Sequence, residues 1–147
     1  MEKRKVVFVC IGTPRIVGDS LGPLVGDELR KRNVSAYVYG TLRRPITALN
    51  LHGYKKMLST YHRGDLIVAI DATMGNLEDV GKLKVVEGGL RPAGAFRKNS
   101  AKLGDIGIMA IVGERDGDML LQLKTADPSF VQKLADDVVN LVGSVKY

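Results

Sequence analysis

Residues 5–29 of the chain read KVVFVCIGTPRIVGDSLGPLVGDEL, and residues 65–75 read DLIVAIDATMG. From Lys5 to Ile11 the first stretch is a continuous, β-branched apolar run, the pattern of a strand buried on both faces. Gly12 to Gly18 reads as a loop. From about Ser20 the residues Leu21, Leu24, Val25 and Leu29 recur at helical spacing as far as Arg32. Asp19 or Ser20 suits the N-cap of that helix, and Pro23 falls early enough to be tolerated in its first turn. A buried strand, a glycine loop and an amphipathic helix in succession form half of a crossover unit, which predicts an α/β fold.

The rest of the chain continues the alternation. Val34 to Tyr39 reads as a second strand, with a short strand expected around Ile46 to Leu49 after the Pro45 loop. Leu51, Tyr54, Leu58 and Tyr61 mark a second helix. Leu66 to Ile70 is a third strand, Lys82 to Val86 an outer one, and Ile106 to Val112 another buried one. Glu114 to Thr125 is ambiguous: Asp116 and Gly117 suggest a turn, and MLLQL fits a strand or a helix. A last helix begins with Asp127 as cap and Pro128 in the first turn, and its packing residues are Phe130, Leu134, Val138, Leu141 and Val145. Strands joined by crossover helices imply a mostly parallel sheet covered on both faces, a three-layer α/β/α sandwich. No repeat or linker interrupts it, so residues 1–147 are expected to form one domain with one core.

Two acids stand where apolar strands run out, Asp19 after the first loop and Asp71 after LIVAI. In a parallel sheet, loops that follow strands emerge on one edge, and ligands bind in the crevice outside the carboxyl ends. Asp19 and Asp71 are therefore candidates for one shared site. Each also has an ordinary reading, Asp19 as a helix cap and Asp71 as a turn former at a strand end.

Composition narrows the class. Hydrophobic residues make 45% and charged residues 26%, as in globular domains, and no apolar run is long enough to span a bilayer. The basic start MEKRK runs straight into the first strand without an Ala-rich cleavage site, and the single Cys10 excludes an internal disulfide; both point to a cytoplasmic protein. Cys10, inside VVFVCI, reads as a buried inert thiol. The formal charge of +6 invites a nucleic-acid partner, but aromatics are 5% and the cations are dispersed, so no nucleic-acid motif is present. Arg15, Arg43, Arg44, Arg91 and Arg97 fall in loops that could rim the crevice and attract an acidic partner.

Residues 88–104, GGLRPAGAFRKNSAKLG, form a long loop with few strand-type residues, which implies either a substrate loop or a surface excursion. Gly12, Gly18 and Gly22 match neither dinucleotide nor P-loop spacing, and an acid at the helix start would repel phosphate.

The segments GDSLGPLVG, VAIDATMG and GLRPAGAF resemble, in that order, the pattern of the spore germination protease. CIGT, VYGTL and LGDIGI bring the chain closer to the sporulation protein YyaC family of spore-forming Firmicutes. The resemblance runs from about Val6 to Val112. The hydrogenase-maturation endopeptidases, which share the fold, resemble it only at the two acids. The resemblance implies the germination protease and hydrogenase-maturation protease-like fold, and an endopeptidase of aspartic type with Asp19 and Asp71 as its catalytic pair. Two carboxylates sharing a site cannot both ionise freely, so one would keep a proton while the other activates water. Gly12, Gly18, Arg91, Gly94 and Arg97 would contact a protein or peptide substrate in a sporulating cell or spore. The alternative is a regulatory domain that binds a peptide on the same fold without catalysis.

The germination protease is much longer, and its self-processing pro-segment has no evident counterpart here. Hydrogenase-maturation enzymes bind metal through two acids and a histidine, but the long loop has no histidine. His52 and His62 both read as ordinary surface or half-buried residues of the second helix, so neither metal nor other cofactor is expected. The sequence leaves open whether the chain works alone or as a homo-oligomer.

Overall fold

The computed structural model describes residues 4–92 and 101–143. Its elements are β1 (Val6–Cys10), α1 (Leu21–Lys31), β2 (Tyr37–Tyr39), α2 (Leu51–Tyr61), β3 (Leu66–Gly75), β4 (Leu83–Glu87), β5 (Ile106–Glu114), α3 (Met119–Thr125) and α4 (Pro128–Gly143). The five strands form one sheet in the order β2-β1-β3-β5-β4, parallel except for the antiparallel edge strand β4.

Alternation along the strands sorts the core into two faces. Val6, Phe8 and Cys10 of β1 and Val68 and Ile70 of β3 pack with Leu21, Val25 and Leu29 of α1 and with Val131, Leu134 and Val138 of α4. Val7, Val9 and Ala69 turn the other way and pack with Leu51 and Leu58 of α2 and with Leu90 and Leu103. The three-layer sandwich with a mostly parallel sheet is therefore the observed architecture. Cys10 is fully buried, and burial pushes its thiol up to about 12, so it remains a protonated packing group.

Several boundaries differ from the sequence reading. β2 begins at Tyr37, because Asn33, at φ +54°, and the residues after it make the turn out of α1. Ile46 to Leu49 is not a strand; Ile46 makes one isolated bridge to Ile11. β3 continues past Ile70 to Gly75, because β5 runs on beside it to Glu114. Asp71 thus lies inside a strand, paired with Met109, and is no turn former. The ambiguous segment after Glu114 is a helix, α3, capped by Asp118. Asp127 caps α4 as expected, accepting from the Ser129 N–H at 3.0 Å, but Leu141 is 38% exposed and Val142 packs in its place. Val145 lies outside the described residues.

Candidate functional site

The end of β1 is built to hold Asp19. Ile11 donates its N–H to Ile70 across the sheet, and Gly12 donates to the Ile46 carbonyl at 2.9 Å. The chain then turns sharply at Gly12 with φ +148°, where a Cβ would stand 2.1 Å from the Asp19 carbonyl oxygen. No side chain fits there. The Thr13 N–H donates to that carbonyl at 3.0 Å and to the Asp19 carboxylate Oδ2 at 3.3 Å. A short 3-10 turn, Val17–Asp19, precedes the α1 N-cap Ser20, whose hydroxyl donates to the Val17 carbonyl and leaves α1 without a side-chain cap. Asp19 is therefore not the helix cap: its carboxylate turns back toward Thr13. Burial pushes the Asp19 carboxyl up from 3.8 to about 6, against the smaller opposing pull of the Thr13 N–H.

Asp71 shares its face of β3 with Ala69, the face covered by α2, and is 2% exposed. Asp19 and Asp71 line the same cavity of about 720 Å³ at the carboxyl edge of the sheet. Its other walls come from the loop before α2 (Arg44 to Asn50), from Leu51 and Tyr54 of α2, and from Pro92.

These walls are held by local hydrogen bonds. Thr41 and Arg44 close a turn reciprocally, Thr41 N–H to the Arg44 carbonyl at 3.2 Å and Arg44 N–H to Thr41 Oγ1 at 3.1 Å, while Asp27 accepts from the Leu42 N–H. Thr47 donates its N–H to Asn50 Oδ1 at 2.9 Å, and Asn50 Nδ2 donates to the Pro45 carbonyl. Between Thr47 and Asn50, Leu49 projects into solvent, 98% exposed at the cavity mouth.

Of the residues expected at the site, Gly12, Arg15, Asp19, Arg44 and Asp71 lie in the cavity wall. Gly18 does not: it is buried behind the Asp19 turn against Leu123 of α3. In the long loop Pro92, rather than Arg91, is the described residue that reaches the wall, and Arg43 is not in it. Gly94 and Arg97 lie outside the described residues. Sequence reading missed Tyr54, Thr47 and Leu49. The T-x-x-N spacing of Thr47 and Asn50 before an apolar helix was the available signal for that wall.

His62 also differs from expectation. It is 6% exposed, with Nε2 on the Tyr39 hydroxyl at 2.6 Å and Nδ1 on Asp65 Oδ2 at 3.0 Å. Its hydrogen bond holds the Asp65 carboxyl below the usual range. With His62 so engaged and His52 exposed on α2, the cavity offers a metal two carboxylates and no imidazole. This does not fit the three-ligand set of a catalytic zinc site. Among the described residues no cluster of three metal-ligating side chains occurs, and no helix is long and apolar enough to cross a membrane.

Residues 1–141 match the family model DUF1256, described as a protein of unknown function. The chain belongs to the DUF1256 family. A relative within reach of direct alignment is the uncharacterized protein YyaC of Bacillus subtilis (strain 168), 37% identical over 110 residues. The alignment covers 74% of this chain and 54% of YyaC, so this DUF1256 chain spans about half the length of that relative. Among solved structures it is similar to the [NiFe] hydrogenase maturation protease HycI of Thermococcus kodakarensis KOD1, with TM-score 0.62, 17% identity, and 95% and 90% of the two chains covered. It is equally similar to a peptidyl-tRNA hydrolase from Acinetobacter baumannii, with TM-score 0.63, 13% identity, and 95% and 86% covered. At such identities the likeness shows a shared fold, and two chemistries on one fold leave the function to the site.

Proposed function

We propose that this DUF1256 domain is a peptidase of the sporulating cell or spore, cytoplasmic, hydrolysing a peptide bond in a protein substrate with Asp19 and Asp71. One observation carries this reading: two carboxylates from separate elements line one cavity. The raised Asp19 carboxyl supports it, because a group that titrates at about 6 exchanges a proton readily near neutral pH. In the pair, the ionised carboxylate takes a proton from water as the water oxygen attacks the scissile carbonyl carbon. The protonated partner first polarises the carbonyl oxygen, and a proton reaches the amide nitrogen as the C–N bond breaks. Burial is the main cause of the raised Asp19 carboxyl, and the two roles are assigned to the pair rather than to either acid alone.

Pro45, Leu49, Leu51 and Pro92 give the cavity wall an apolar side, which favours a second reading, a domain that binds a peptide segment without cutting it. Both readings are tested by incubating the protein with a proteome-derived peptide library and detecting new termini by mass spectrometry. Cleavage by the wild type that is lost in Asp19→Asn and in Asp71→Asn supports the peptidase. Cleavage retained by either variant overturns the dyad, and peptides retained uncut by all three proteins support the binding domain.

A further inference from the structure

Helix α3 contributes no buried residue to the core, and Met119, Leu120 and Leu121 face solvent. Of its large apolar side chains, Leu123 packs partly buried against the core, and hydrogen bonds supply the rest of its attachment. Gln122 clasps the last residue of β5 in both directions: Oε1 accepts from the Glu114 N–H at 2.8 Å and Nε2 donates to the Glu114 carbonyl at 2.8 Å. Gly113 and Gly117 make room for that amide, since a Cβ at either would stand 2.9 or 2.7 Å from it. Next along the helix, Leu123 presses on Gly18, where a Cβ would lie 2.8 Å from both the Leu123 Cα and Cδ2. Gly18 is the residue before Asp19.

We propose that α3 is a positioning element of the site: Gln122 fastens it to β5, and Leu123 holds the Val17–Asp19 turn so that the Asp19 carboxyl stays in the cavity. The turn is gripped from the front by the Thr13 N–H and from behind by Leu123. Loss of either grip lets the carboxyl move toward water, and a displacement of about 1 Å at a reacting group can cost on the order of 100-fold in rate. Leu123 and Gln122 act through Asp19, so neither is assigned contact with substrate. The inference rests on Asp19 belonging to the site, but its test needs no catalysis.

The test is a carboxyl NMR titration of Asp19 in the full chain, with amide hydrogen exchange in α3. In Gln122→Ala the α3 amides are expected to exchange faster, and the Asp19 midpoint to fall from about 6 toward the ordinary 3.8 as water reaches it. Gly18→Ala, which displaces Leu123 directly, should move the midpoint the same way. Leu121→Ala, on the exposed face of the same helix, should leave it in place. A merely structural helix would lower stability without moving Asp19. An Asp19 midpoint unchanged in Gln122→Ala, whatever happens to the α3 amides, overturns the proposal. Failure of the peptidase reading would leave this titration unaffected.

Discussion

Replacing Asp19 by asparagine should stabilise the protein at neutral pH, by an amount that depends on pH in a defined direction. A carboxyl raised by burial is one that the fold prefers neutral, so its ionisation subtracts stability. The loss begins above the unfolded value near 3.8 and is complete above about 6. At about 1.36 kcal/mol per pKa unit the rise corresponds to roughly 3 kcal/mol, and solvent at the half-buried carboxyl reduces this to about 2 kcal/mol. The amide of the Asp19→Asn variant keeps an oxygen for the Thr13 N–H but has no charge to desolvate. Urea unfolding of both proteins from pH 4 to pH 8 at constant ionic strength measures the difference, and equal m-values license the comparison. Asp65 and Asp127, whose carboxyls are held low by His62 and Ser129, push overall stability the other way. They are common to both proteins and cancel in the difference. The Asp19→Asn variant should gain on the wild type by about 2 kcal/mol between pH 4 and pH 7. A flat difference, or one that favours the wild type as pH rises, would refute the argument that burial governs this carboxyl.

Gly12→Ala drives a Cβ onto the Asp19 carbonyl at a φ of +148°, so a loss of about 2 kcal/mol or more is expected in the same unfolding assay. A smaller loss would mean that the turn relaxes easily. Tyr39→Phe removes the hydroxyl from His62 and leaves a buried ring nitrogen without that partner, at about 1–3 kcal/mol. An unchanged denaturation midpoint would show that water replaces the hydroxyl.

The layers and the central strands were legible because their signals are local and strong: VVFVC and LIVAI are apolar runs, and Leu21, Val25 and Leu29 recur at helical period. The end of β3 was not legible, since ATMG carries no stop or continue signal and its pairing is set by how far β5 runs beside it. The cavity was half legible. The strand ends announced the two acids, but the wall from Thr47 to Tyr54 depends on how the loop after β2 folds back over the sheet. The reading of His62 as a surface or half-buried residue failed because its partners lie on β2 and just after α2, and only the fold brings Tyr39 and Asp65 together around it.

The pairing of β1 with β3 has a consequence for the order of folding. It joins the strand that leads to Asp19 with the strand that carries Asp71, and the Lys5 N–H reaches Asp65 across 60 residues of sequence. Closing so large a loop precedes any reward from contact, which makes this pairing an intrinsically slow event. A nascent chain that has emerged only to the end of α2 carries Asp19 but no β3, and hence no cavity. Register adds a second condition, since a slip of one residue would turn Asp71 to the α1 face while keeping the strands paired. Whatever chemistry the cavity performs is thus withheld from every partly made or misregistered chain.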